Sequence, residues 1–280
     1  MADLAILHKL QPVLRKGKWK VTVALHRGHD ERQARLIDLW PGLYEGGIYG
    51  LAIDLGSTTI AAHLCDLSDG RVLASSGLMN PQIRCGEDLM SRISCAMINP
   101  GSDREMTHAV RAALNTLATD IATEAGIAPE LIVEAVFVCN PVMHHLLLGI
   151  DPVELGQAPF ALASSSARSL GAREMELGAI NANARVYVLP LIACHVGAHC
   201  AAVVLSEEPQ KSNGIVLIVD VGTNAEILLG SETRVRLFLA HRAGLRGGAN
   251  LLWPAGRAER DRADGDRPRH QGAAFPDHRI

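Results

Sequence analysis

The segment Tyr49–Leu64, YGLAIDLGSTTIAAHL, runs apolar, breaks at Asp54-Leu55-Gly56-Ser57-Thr58-Thr59, and becomes apolar again. The apolar runs on either side of the break predict two strands joined by a tight turn. Nearly the same events recur at Gly214–Gly230, GIVLIVDVGTNAEILLG, around Asp220-Val221-Gly222-Thr223-Asn224. Each turn closes one strand and opens a second. A third strand follows in both cases, RVLASSGL after Asp69-Gly70 and TRVRLFLA after Gly230-Ser231. Duplication of a whole strand–turn–strand unit points to a shared task for the two turns.

The residue types suggest the task. A phosphate needs several converging donors, and backbone N–H groups in a tight turn supply them. Glycine lets the backbone come close, and Ser and Thr add hydroxyls. A carboxylate at the strand end repels phosphate unless a cation lies between them. Mg²⁺ does this while keeping some of its waters. Asp-x-Gly-Ser-Thr-Thr therefore reads as a phosphate–Mg²⁺ cradle, against the plainer alternative of an ordinary hairpin.

Working outward, the chain has 280 residues, 48% of them apolar, and a net charge of −3. That balance gives no electrostatic case for a nucleic-acid or membrane partner. The most apolar stretch, LIVEAVFVCNPVMHHLLLGI, is interrupted by Glu134, Asn140, Pro141 and two histidines, which argues against a membrane span. Six cysteines stand singly, without a CxxC pair, as free thiols would in a reducing compartment, so a cytoplasmic location is expected.

Residues 1–46 show one convincing strand, Trp19–Leu25. After the first meander, helices are expected in GEDLMSRISCAMI and REMTHAVRAALNTLATDIATEAGI; in the second, Val110, Leu114, Leu117 and Ile121 make one apolar stripe. A strand (VEAVFVC), a short helix (PVMHHLLLG), a polar loop over residues 163–184, a strand (RVYVLP) and a helix (HVGAHCAAVVL) lead into the second meander. Strands alternating with helices predict an α/β fold.

Paired Asp-x-Gly hairpins in two lobes resemble the superfamily of actin, sugar and acetate kinases and chaperone ATPases, with its ribonuclease H-like fold. A closer likeness is to the ATPase-like domain of the ferredoxin-containing reductive activators of corrinoid proteins. It is carried by YGLAIDLGSTTIAAHLCDLSDGRVLASSG, NPQIRCGEDLMSRI, NPVMHHLLLG, VLPLIACHVGA and IVDVGTNAEILLG, in that order. The likeness implies ATP in a cleft gripped by both hairpins. Gly56, Ser57, Thr58 and Thr59 would bind phosphates together with Gly222, Thr223 and Asn224. Asp54 and Asp220 would hold Mg²⁺ through water. Asp220 or its neighbours would orient the attacking water. From its place two residues after the second turn, Glu226 reads either as a further aid in positioning that water or as a solvent-facing strand residue. The implied activity is ATP-dependent transfer of an electron from an iron–sulphur cluster to Co(II) of a corrinoid protein, giving Co(I). A corrinoid protein is the implied partner, a separate ferredoxin a further candidate, and a homodimer a candidate assembly.

By the same likeness, residues 1–46 read as the end of an upstream middle domain, 47–205 as a first ATPase-like lobe, and 206–240 as the start of a second. The six cysteines lack the spacing of a four-thiolate [2Fe–2S] site, so no iron–sulphur cluster is expected in this chain. Relatives more often carry glycine at Cys139 and an acidic residue where His199 stands. From His241 to Ile280 there is no Val, Thr, Ser or Lys, and eight Arg stand beside nine Gly and Pro. That composition reads as a disordered tail. Where the family runs close to GPAFEGAQISSGQRAAPGAIE, this chain has HRAGLRGGANLLWPAGRAE. With permitted codons, reading one nucleotide later gives IAPAFEGAQISSGQRAAP. Residues 241–280 therefore read as out of frame, with the second lobe truncated.

Other readings stand beside these. An inactive remnant, a module that docks on a corrinoid protein, and a small-molecule kinase of the same superfamily are the rival functions. Cys194, His195, His199 and Cys200 offer a zinc reading against ordinary small residues beside a cleft. Asn80 and Gln82 read either as nucleotide contacts or as a turn after a strand. Of His144 and His145, adjacent and so on divergent helix faces, one reads as a hydrogen-bonded histidine at a helix start.

Overall fold

The first fifty residues build a small layer of their own. In a computed structural model that describes residues 3–28, 34–221, 225–231, 234–240 and 250–254, helix α1 (Leu4–Lys16) precedes a hairpin of β1 (Val21–His26) and β2 (Arg35–Pro41). The sequence shows only the first of these strands clearly. Helix α1 buries Ile6 but exposes Leu4 and Leu7, so its apolar stripe is thin. Strand β2 carries a carboxylate, Asp38, in mid-run, which disguises it. Asp38 is nonetheless buried and satisfied: its Oδ1 accepts from the Leu39 amide at 2.8 Å and from Lys9 Nζ at 3.3 Å, and its Oδ2 accepts from Asn181 Nδ2 at 2.7 Å. Asn183 Nδ2 also donates to the Ile37 carbonyl at 3.1 Å. These bonds tie the hairpin to the body that follows.

That body is a six-stranded mixed sheet. Strands β3 (Tyr49–Leu55), β4 (Thr59–Asp66) and β5 (Val72–Met79) form an antiparallel meander. Gly70, at φ +76°, lies in the turn between the last two. Strand β3 then pairs in parallel with β6 (Ile132–Cys139) on its other edge. Strand β7 (Arg168–Gly171) is antiparallel to β8 (Arg185–Val188), and β8 is parallel to β6, so the order is β5-β4-β3-β6-β8-β7. Leu51, Ile53 and Leu55 are buried while Ala52 and Asp54 are exposed. Helix α3 (Ser102–Glu124) lays Val110, Leu114, Leu117 and Ile121 into the core, as the stripe predicts. Helices α2 (Leu89–Ile98) and α4 (Pro141–Leu148) flank it. The loop expected over residues 163–184 contains β7, a four-residue strand with no apolar alternation, held as an edge by β8.

After α5 (Ala198–Glu207), strands β9 (Val216–Val221), β10 (Ala225–Ser231) and β11 (Arg234–Ala240) make the second meander. Strand β12 (Asn250–Pro254) pairs antiparallel with β11. This strand lies within the stretch expected to form a tail, and it pairs on the edge of β11. The rest of the tail lies outside the described residues. The fold is α/β with duplicated strand–turn–strand units, as expected.

Candidate functional site

The first turn owes its shape to three side chains, the buried Asn80 and Arg92 and the half-buried Asn140, and two of the three come from Asn-Pro pairs. Asn80 precedes Pro81, and its Oδ1 accepts from the Gln82 amide at 3.0 Å; Asn140 precedes Pro141, and its Oδ1 accepts from the Met143 amide at 2.9 Å. Asn is a good helix cap and Pro a good first helical residue, which explains the pairing. With the oxygen occupied by the cap, each amide NH₂ is aimed at the turn. Asn80 Nδ2 donates to the Gly56 carbonyl at 2.8 Å, and Asn140 Nδ2 donates to Ser57 Oγ at 3.1 Å. The Asn80 amide takes the Thr58 carbonyl at 2.8 Å.

Arg92, on α2 and fully buried, is the third support. Its Nη2 donates to the Ser57 carbonyl, its Nη1 to Gln82 Oε1 at 3.2 Å, and its Nε to the Gly86 carbonyl at 3.2 Å. Burial pulls the guanidinium down to about 10, against the pull of Cys85 and Asp88 upward. The carbonyls of Gly56, Ser57 and Thr58 are thus all turned to protein partners. A Cβ at Gly56 would lie 2.6 Å from the Thr59 carbonyl oxygen, so no larger residue fits this turn.

Of the residues picked out from sequence, Ser57 is buried, Thr58 and Thr59 are exposed, and Asp54, next to last in β3, has its side chain 55% exposed. Asn80 and Gln82 are not at the surface; both are buried supports, so the nucleotide-contact reading gives way to a structural one. Arg92 and Asn140 escaped the sequence reading. The repeat of Asn-Pro before two helices was the available signal for Asn140. Nothing short of the fold marks Arg92, an arginine on the inward side of an otherwise apolar helix.

Helix α5 joins the two hairpins. Gly197 precedes it, and a Cβ there would lie 2.6 Å from the Cys139 carbonyl oxygen, so α5 starts hard against the end of β6. At the second residue of α5, His199 Nε2 lies 2.8 Å from Asp54 Oδ1. The next residue, Cys200, is buried with Val196 and Leu228 of β10. Asp220 on β9 stands opposite Glu226 on β10 in the strand register. Burial first, and then Asp220, pushes the Glu226 carboxyl up, while His199 draws it down. Burial, Glu226 and Asp220 push the Cys200 thiol up to about 12. Asp54, His199, Glu226 and Asp220 thereby form one electrostatic group across the two hairpins. Gly222, Thr223 and Asn224 lie outside the described residues.

The zinc reading of Cys194, His195, His199 and Cys200 is not supported by this arrangement. His199 is engaged with Asp54, Cys200 is packed against β10, and His195 makes an edge contact with Phe160 at 5.0 Å between ring centroids. No group of three His, Cys, Asp or Glu residues is gathered to hold a metal among the described residues. No helix among them is long and apolar enough to cross a membrane.

Residues 1–46 match the family described as the RACo linker region, and residues 49–212 the RACo middle region. The corrinoid activation enzyme RamQ of Eubacterium limosum is 35% identical over 198 residues, covering 70% of this chain and 33% of that protein. A solved structure described as a reductive activator for corrinoid, iron-sulfur protein superposes with a TM-score of 0.77 at 30% identity, over 85% of this chain and 37% of that one. The chain thus spans about a third of the length of the relatives it matches. The linker and middle matches together cover most of the sequence, and the chain belongs to the RACo family of corrinoid reductive activators.

Proposed function

We propose that this chain is the nucleotide-holding part of an ATP-dependent activator that serves the reduction of a corrinoid protein from Co(II) to Co(I). The observation that supports it best is the first turn itself. Asn80, Asn140 and Arg92 take its carbonyls and the Ser57 hydroxyl, which leaves the backbone N–H groups and the Thr58 and Thr59 hydroxyls to meet phosphate oxygens. Such a fixed set of donors needs no rearrangement when an anion arrives.

Two carboxylates, Asp54 and Asp220, are a sparse donor set, and sparse sets suit Mg²⁺, which keeps several waters and takes few protein ligands. Mg²⁺, when bound, supplies the positive charge that lets carboxylate and phosphate share a site. His199 engages one oxygen of Asp54 and leaves the other for a metal-bound water. Glu226, raised above the usual carboxylate range and half-buried, is suited to accept a proton from a water it orients. Gly222, Thr223 and Asn224 would complete the phosphate donors from the second hairpin. The electron would come from an iron–sulphur group outside this segment, either in the longer polypeptide or in a separate ferredoxin.

Titration calorimetry with Mg·ATP tests the reading, with Asp54→Ala and Asp220→Ala as controls. Binding by the parent chain that each substitution abolishes is the expected result. A folded sample that takes up no Mg·ATP, or one in which both variants bind as the parent does, overturns it.

A further inference from the structure

A methionine closes the buried network beneath the first turn. Met143 stands near the start of α4, fully buried, in an apolar run that gives it the look of a core filler. Its thioether is nevertheless a meeting point for two donors: Arg92 Nη1 donates to Sδ at 2.9 Å and Asn80 Nδ2 at 3.5 Å. Asn80 Nδ2 carries two hydrogens, one taken by the Gly56 carbonyl and the other by this sulphur. Arg92 Nη1 likewise divides its two between Gln82 Oε1 and the sulphur. The Met143 amide itself donates to Asn140 Oδ1 at 2.9 Å. One residue therefore touches all three supports of the turn.

We propose that Met143 is a positioning residue for the phosphate turn, its sulphur holding Asn80 and Arg92 in the pose that draws the Gly56 and Ser57 carbonyls away from the ligand side. The proposal rests on the reading of that turn as a phosphate site. The choice of residue follows from the hydrogen-bond inventory. Both donors are buried, and each would keep one hydrogen without an acceptor if α4 presented only hydrocarbon here. An amide side chain would bring an NH₂ group needing partners of its own. A carboxylate would compete with the Ser57 carbonyl for Arg92. A thioether accepts weakly, donates nothing and bends to fit its surroundings. It satisfies both donors without drawing either from the turn. Leucine fills a similar volume but accepts nothing. With leucine at this place Asn80 and Arg92 would turn toward other acceptors, and the carbonyls they hold would be free to swing toward the phosphate side.

Met143→Leu tests this, with Leu147→Met, a buried position further along the same helix, as the control for repacking. Side-chain amide NMR reads the placement without any nucleotide. In the parent both Asn80 Nδ2 protons should be protected from exchange. In Met143→Leu the proton that faced the sulphur should exchange faster and move upfield, which a purely space-filling role would not bring about. Biosynthetic replacement of methionine by norleucine, which keeps the shape and drops the sulphur, should free the same proton. Mg·ATP should bind Met143→Leu about tenfold more weakly, the worth of one neutral hydrogen bond. Asn80 protons that stay as in the parent, or that Leu147→Met changes as much, overturn the proposal. A freed Asn80 proton with an affinity equal to the parent's also overturns it and spares the phosphate reading. A freed proton in a chain whose parent takes up no Mg·ATP overturns the phosphate reading and confines Met143 to holding the turn.

Discussion

The β3–β4 and β9–β10 hairpins share a sequence pattern but not an environment. Strand β3 lies between β4 and β6, and its apolar residues at Leu51, Ile53 and Leu55 are buried under α3 and its neighbours. Strand β9 is the edge of its four-stranded sheet, and there Leu217 is 63% and Val219 50% exposed. On the other face of this sheet, among the described residues, Ile218 and Leu228 meet Val196 and Cys200. Leu51 and Leu217 stand at the same step, three residues before the aspartate of their turns. The pattern thus writes a hairpin in both places, while burial depends on what the rest of the chain sets against it.

The sharpest way to break that comparison is to truncate the matched pair. Leu51→Ala should cost about 2–5 kcal/mol in denaturant unfolding, the range for a buried leucine whose site keeps part of the cavity. Leu217→Ala should cost no more than about 0.5 kcal/mol, as surface substitutions do. Equal losses at both positions would mean that the outer face of the second sheet is covered in solution.

The turns differ in a second way that Arg92→Ala exposes. Removing the guanidinium leaves buried oxygens of Ser57, Gln82 and Gly86 without their donor, at about 1–3 kcal/mol for each such group. Amide hydrogen exchange should quicken around residues 56–59 and stay unchanged in β10, where Arg92 makes no contact. Uniform loss of protection in both hairpins would show that the second depends on the first.

A pH scan separates the lobes more gently. His144 on α4 is fully buried, and neither ring nitrogen has a partner among the described residues. Burial first, then His145 and Arg168, pulls it down to about 4. Its pKa is depressed in the folded state, so the unfolded chain takes the proton first as pH falls through about 6.5. Stability held by neutral His144 is intact above that point, and about 3 kcal/mol of it is lost on the way to pH 4. The sign is that of a group buried neutral. In His144→Leu the acid side of the stability curve should flatten.

The matched leucines and the histidine show where sequence reasoning works and where it stops. Periodicity found both meanders and the α3 stripe, since alternation and helical spacing are local properties. It missed α1 and β2, because a thin apolar stripe and a mid-strand Asp38 look like loop until Lys9 and Asn181 are brought to that carboxylate. Asp54 and Gly56 of the first turn and Asp220 of the second could be picked out because their chemistry is unusual for a strand end. The groups that hold the turn, Arg92 and Asn140, lie 35 and 83 residues away from Ser57 in the chain, so no local spacing links either of them to it, and only the repeated Asn-Pro pair hints at Asn140. His199 was noted for its departure from the family, yet its bond to Asp54 emerges only once α5 is set against the end of β6.

That bond carries the last and smallest effect. The imidazole is 26% exposed and the carboxylate 55%, so the pair should add less than about 1 kcal/mol to stability and be weakened by salt. Its consequence lies in the second hairpin. His199 draws the Glu226 carboxyl down against burial and Asp220, both of which raise it. With the imidazole gone, burial and Asp220 are opposed only by a backbone hydrogen bond. His199→Ala should therefore leave unfolding nearly unchanged and move the Glu226 titration to higher pH, which carbon-detected NMR of the side-chain carboxyl reads directly. His199→Gln keeps a hydrogen-bond donor without the charge and should move Glu226 nearly as far. If neither variant shifts Glu226, the two hairpins titrate independently, and Asp54 and Asp220 belong to separate sites. A shift in both variants makes the charge on α5 the link by which one turn senses the other.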